Sequence, residues 1–168
     1  WAVRDGILIG TPQPPDQLLL SDAAYADFEL RVEYRWAKPG GHTLLLVRAG
    51  DGMVPDKDGP GINIGDDEGF PVVHGRPIGE LYRTGLVQGV TFYPSVANRP
   101  IGAWNELTVF ARGPTIEIKV NGTRMPTAEL AAKPGRRPEL TRPSGSVGLL
   151  CHWGQIEFRT VAVRPVTD

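Results

Sequence analysis

The chain has 168 residues, a formal net charge of −1, 40% hydrophobic and 22% charged residues, and a single cysteine, Cys151. These values fit one soluble globular domain over residues 1–168, large enough to bury a core without staples. They exclude an intrachain disulfide. With no Lys/Arg block and no apolar run near the ~20 residues that span a bilayer, they give no support to nucleic-acid binding or a membrane span.

Glycine and proline are scattered through the chain as punctuation for short strands. The chain opens on Trp1 with no signal-like segment, which reads as a trimmed chain or an excised domain from which any leader would have been removed. Residues 6–10 form a short strand after an Asp-Gly turn. Residues 11–16 are a Pro-rich loop, 18–20 a short apolar run, and 21–25 one helical turn capped by Ser21 or Asp22. Residues 28–36 are the clearest strand. Phe28, Leu30, Val32, Tyr34 and Trp36 alternate with Glu29, Arg31, Glu33 and Arg35, so one face is buried and the other wet.

Gly40-Gly41 ends that strand. In residues 42–48, Leu44 to Val47 are apolar on both faces, as in a strand covered on both sides. A Gly/Asp/Pro loop over 49–60 leads to a short strand over 61–64. Residues 65–83 are a long polar loop, 84–92 contain a strand, and 93–103 are a Pro-containing connection. Residues 106–111 and 115–120 form a hairpin, and Asn121-Gly122 turns the chain into residues 123–125. A Pro/Lys/Arg-rich loop over 126–144 precedes two closing strands, 146–151 and 155–164. About ten short strands with frequent turns predict an antiparallel sandwich or barrel. The first closing strand ends on Cys151-His152-Trp153-Gly154. An aromatic and a histidine at such a strand end suit a carbohydrate site.

Several motifs, taken together and in order, resemble one known family. They are Trp1, Val3, Asp5, Gly6, Leu8 and Gly10; Tyr25, Asp27, Phe28, Glu29, Leu30 and Arg31; Gly102-Ala103-Trp104-Asn105; the Asn121-Gly122 turn; and Val147-Gly148-Leu149-Leu150-Cys151-His152-Trp153-Gly154 followed by Ile156-Glu157-Phe158-Arg159. The sequence is similar to the 3-keto-disaccharide hydrolase family. The resemblance implies an all-β, concanavalin A-like jelly-roll sandwich of two curved antiparallel sheets with a carbohydrate cleft on its concave face. It also implies hydrolysis of glycosides oxidised to a ketone at C3, and a bacterial protein exported to the periplasm or beyond. The family's acidic position falls on Gly61 and the glutamine of its last motif on Leu150. These departures motivate an alternative, a non-catalytic carbohydrate-binding module of the same fold. A third reading is a scaffold domain with a flat apolar patch.

A ketone at C3 acidifies the C2 hydrogen, so the chemistry needs a base near neutrality and a donor facing the enolate oxygen. His152 is the candidate base, Arg48 the candidate oxyanion donor or sugar clamp, and Asp66 an acid for proton transfer or sugar binding. Trp153 is the candidate platform, since sugar C–H faces stack on indole. Asn63, Gln88 and His74 are further candidate sugar contacts. His42 reads as a turn-proximal surface histidine, Asp67 and Glu68 as a solvated loop, and Trp36 and Trp104 as core. Asp56-Lys57-Asp58-Gly59 has part of a calcium loop's spacing without the terminal glutamate. No Cys/His set suits zinc. No cofactor is expected beyond a structural calcium there.

Overall fold

The computed structural model describes residues 1–50, 59–66, 72–73, 76–77, 87 and 98–166. Its strands are β1 (Ala2–Arg4), β2 (Ile7–Gly10), β3 (Gln17–Leu20), β4 (Phe28–Trp36), β5 (His42–Ala49), β6 (Gly61–Gly65), β7 (Val72–Val73), β8 (Arg76–Pro77), β9 (Asn105–Arg112), β10 (Thr115–Val120), β11 (Thr123–Arg124), β12 (Ala128–Glu129), β13 (Ser146–Cys151) and β14 (Ile156–Pro165). Among the described residues these form a large sheet in the order β1-β2-β14-β4-β9-β10-β11, with β12 on β10, and a small sheet in the order β3-β13-β5-β6. A separate ribbon pairs β7 with β8. The chain is an all-β jelly-roll sandwich of two antiparallel sheets. Among the described residues no helix is long and apolar enough to cross a membrane.

Alternation in β4 builds the sandwich. Its residues Phe28, Leu30, Val32, Tyr34 and Trp36 are buried. They pack with Leu107 and Val109 of β9, Ile116 and Ile118 of β10 and Phe158 of β14 against Leu45, Val47, Ile62, Ile64, Val147 and Leu149 of the small sheet. The wet face of β4 carries ion pairs instead: Arg31 with Glu33 and Glu106, Arg35 with Glu157, and Arg159 with Glu33. Hydrogen bonds from Arg159 and Thr160 pull the Glu33 carboxyl down to about 2. In β5 every residue is buried. Leu45 and Val47 join the main core, whereas Leu44 and Leu46 join a second cluster on the outer face of the small sheet with Ala49 and Leu150.

Three local expectations fail for physical reasons. Residues 21–25 form bends ending in a β-bridge, with no helical turn, because Tyr25 and Gly145 exchange backbone hydrogen bonds of 2.8 and 3.1 Å. The Ser21 hydroxyl serves the sheet, donating to the Ala23 carbonyl and accepting from Val147 N. Trp104 is only half-buried and lies outside the core, with the Arg35 and Arg159 guanidiniums each 4.7 Å from its ring centroid. Trp36 does lie in the core. Inside the expected loop over 126–144, β12 and a 3₁₀ turn (Pro138–Thr141) appear.

Candidate active site

Antiparallel pairing sets which residues meet. β5 starts at His42, where β6 ends at Gly65, β13 ends at Cys151 and β3 starts at Gln17. Four connections therefore converge at one end of the small sheet. The ladder continues past β13 through a His42–Trp153 bridge, with both backbone hydrogen bonds at 2.9 Å. Two glycines allow the chain to turn there. Gly154 sits at φ +75°, where a Cβ would come within 2.8 Å of Gly41 Cα. A Cβ on Gly41 would meet the Trp36 indole at 2.2 Å. A larger residue at Gly154 would press on Gly41, and one at Gly41 would displace the Trp36 indole.

The result is a cluster of three rings. His152 stacks on Trp153 with centroids 4.5 Å apart, and His42 lies 5.9 Å from His152 and 5.8 Å from Trp153. The His152 Nδ1 lies 2.5 Å from Asp16 Oδ2. A carboxylate there accepts from Nδ1–H, fixes the tautomer and leaves Nε2 as the basic atom. Trp153 is 44% exposed, so part of its indole is accessible to solvent beside that imidazole.

His42, like Trp104, is a residue the sequence reading placed wrongly. It is buried at 3% exposure, and its Nε2 donates to Asn63 Oδ1 at 3.2 Å. The bridge to Trp153 covers what looks like a surface position next to a turn. The signal was the even-numbered stripe of β5, which His42 begins and which runs on into Leu44. Burial pulls its pKa down to about 4 from 6.5, against the Asn63 hydrogen bond, and His152 adds to the depression. The folded state therefore holds His42 neutral while the unfolded chain protonates below about pH 6.5. Stability is full above that value and falls as pH drops toward 4, by about 3 kcal/mol. Urea unfolding between pH 7 and 4 checks this, and His42→Leu should remove that part of the slope.

The other candidates do not gather here. Arg48 lies six residues along β5, about 20 Å away by strand rise. The even-numbered stripe of β5 breaks before it. The register shift between Ser146 and Gly148 places Val47 and Arg48 together opposite Val147, a bulge with Arg48 at φ 51°. Its guanidinium donates from Nε to the Ala26 carbonyl (2.9 Å), from Nη1 to the Gly113 carbonyl (2.5 Å) and from Nη2 to Asp27 Oδ1 (3.1 Å). It ties the small sheet to the β9–β10 turn and shares no cleft with His152. Asp66 lies at the histidine end but accepts from Gly40 N at 2.7 Å, and it lines a recess with Trp36 and Asn105. Asn63 joins the cluster through His42. His74, Gln88, Asp67, Glu68 and the 56–58 part of the calcium-like loop lie outside the described residues. Among the described residues no group of three or more His, Cys, Asp or Glu could hold a metal. Burial pushes the Cys151 thiol up to about 11, so it is a poor nucleophile.

The described arrangement is an imidazole hydrogen-bonded to a carboxylate and stacked on a partly exposed indole, on a jelly roll. The chain belongs to the family described as the 3-keto-alpha-glucoside-1,2-lyase-like domain, whose pattern matches residues 1–164. Among solved structures it is similar to a protein of Parabacteroides distasonis ATCC 8503 that its name assigns to the glycosyl hydrolases. The TM-score is 0.82 at 19% identity, over 99% of this chain and 84% of that one. It is also similar to the carbohydrate-binding module CBM66 of Bacillus subtilis, with a TM-score of 0.60 at 17% identity over 95% of each chain. At such identities the likeness concerns the fold. No curated protein matches the chain in sequence.

Proposed function

We propose that the chain acts on glycosides carrying a ketone at C3, cleaving them by elimination across C1–C2, and that His152 is the base. The observation that carries this reading is the Asp16–His152–Trp153 arrangement, within a chain of the lyase-like family. The sugar stacks on Trp153. His152 Nε2 removes the proton from C2, and the electron pair moves into the C3 carbonyl to form an enolate. The enolate collapses, expels the C1 oxygen, and leaves a C1–C2 double bond conjugated to the ketone. The proton on His152 passes to the departing oxygen, so the base is restored. Addition of water to the double bond completes a net hydrolysis. Asn63 lies buried on the same face and holds the His42 ring through its Oδ1, which keeps that side of the site fixed.

The test is incubation with 3-keto-trehalose or methyl 3-keto-glucoside, following release of the C1 group. Release by the wild-type protein supports the reading; absence of release sinks it. Under the carbohydrate-binding alternative, calorimetry shows binding of unmodified sugars with no turnover. The specific support for it is that Gly61, inside the buried strand β6, stands at the family's acidic position, so no carboxylate is supplied there. Under either reading Trp153→Ala should weaken sugar binding about tenfold, on the order of 1.4 kcal/mol, measured by calorimetry or KM. A change under twofold would remove Trp153 from the site.

A further inference from the structure

The wet face of the large sheet holds a cavity that the elimination chemistry does not use. Its volume is about 200 Å³, and Arg99, Trp104, Asn105, Glu106 and Arg159 are among the residues lining it. A water molecule's share of liquid volume is ~30 Å³, so a small organic group fits there. The loop before β9 builds one wall. Asn105, 4% exposed, accepts at Oδ1 from Arg99 N (2.7 Å) and from Asn121 Nδ2 (2.8 Å), and Asn121 Oδ1 accepts from Glu106 N (2.9 Å). Arg99 Nη1 donates to the Trp104 carbonyl at 2.8 Å. The wall is fixed before any ligand arrives, which lowers the ordering cost of binding.

Three guanidiniums meet at Trp104. Those of Arg35 and Arg159 lie against its indole, and that of Arg99 holds its carbonyl. Arg159 commits Nε and Nη2 to Glu33, Arg35 commits Nε to Glu157, and Arg99 commits Nη1 to the backbone. Among the described residues no acceptor meets Nη1 of Arg159, Nη1 and Nη2 of Arg35, or Nε and Nη2 of Arg99. The carboxylates present do not answer these donors. Glu33 is already held by Arg31 and Arg159 at Oε1 and by Arg159 and Thr160 at Oε2. With Arg31, which joins Glu33 to Glu106, four guanidiniums stand against the carboxylates of Glu33, Glu106 and Glu157.

From this we infer that the cavity binds the acidic group of an anionic sugar, a carboxylate or a sulfate ester, and so anchors an acidic glycan on the sheet opposite His152. Guanidiniums present paired N–H donors to such oxygens and are weakly hydrated, so little water is lost in the exchange. A bare inorganic ion would leave much of the cavity unfilled. A sugar hydroxyl can donate to Glu106 Oε1, because Arg31 engages only Oε2. The preference for an anion rests on the guanidiniums alone. Taking its carrier to be a sugar rests on the carbohydrate reading above.

The experiment titrates the ¹⁵N-labelled protein with methyl glucuronide, glucose 6-sulfate, methyl glucoside and sodium sulfate at constant low ionic strength. The readout is the Trp104 indole N–H signal and the Kd it gives. Both acidic sugars should bind at least about tenfold more tightly than methyl glucoside, and Arg99→Gln and Arg35→Gln should each weaken them about tenfold. Arg124→Gln removes an exposed cation elsewhere on the same sheet and is the control, with a change under about twofold expected. No shift at Trp104, no loss in either of the first two variants, an equal loss in the control, or sodium sulfate binding as tightly as the acidic sugars overturns the inference. None of these outcomes touches release of the C1 group from a 3-keto glycoside, so the proposed reaction stands or falls on its own test.

Discussion

Replacing His152 by alanine is expected to lower the rate of C1-group release by roughly 10²–10⁴-fold, the usual contribution of a positioned general base. His152 is half-exposed at a strand end, so the variant should fold normally. Its neighbour gives a graded control. Asp16→Asn keeps a hydrogen-bond acceptor near Nδ1 but removes the charge that favours one tautomer, so a smaller loss, about tenfold, is expected. Rates measured on 3-keto-trehalose at pH 7 check both. Wild-type activity in His152→Ala would remove the base from the account.

The second large effect is on stability and not on activity. Arg48→Met should cost about 3 kcal/mol of unfolding free energy, because a buried hydrogen-bonded cation is removed from its partners. The carbonyls of Ala26 and Gly113 and the carboxylate of Asp27 would lose its guanidinium. Asp27 is partly exposed and retains the Gly113 N–H, which keeps the estimate at the low end for a broken buried pair. Urea denaturation gives the energy, and turnover by the folded variant should match wild type within about twofold. Loss of turnover at full stability would return Arg48 to the site.

Most of the fold was legible because its strands obey simple patterns. Strict alternation marked β4 to the residue, and the two-sided apolar run of β5 marked a strand covered on both faces. The Asn121-Gly122 turn, with φ values of 49° and 83°, is a local signal of the same directness. What escaped depended on pairing between distant segments. The bridge of Tyr25 to Gly145 overrode a local helical preference. The bridge of His42 to Trp153 buried a histidine that looked like a surface residue.

The site divides in the same way. His152 and Trp153 were visible as a strand-end pair. Asp16, which orients His152, lies 136 positions away in a Pro-rich loop and carries no local signal. Arg48 misled because period-two counting put it on the cleft face. One extra residue in a bulge reverses that count, and no composition rule announces the bulge.

The most direct test is a two-dimensional NMR titration of the ¹⁵N-labelled protein with methyl 3-keto-glucoside, covering backbone, indole and imidazole signals. Shifts centred on His152, Trp153, His42 and Asn63, with residues around Arg48 and Gly113 unchanged, are the expected result. Shifts centred on the Arg48 end, or on the outer face of the large sheet around Trp104, would contradict the account.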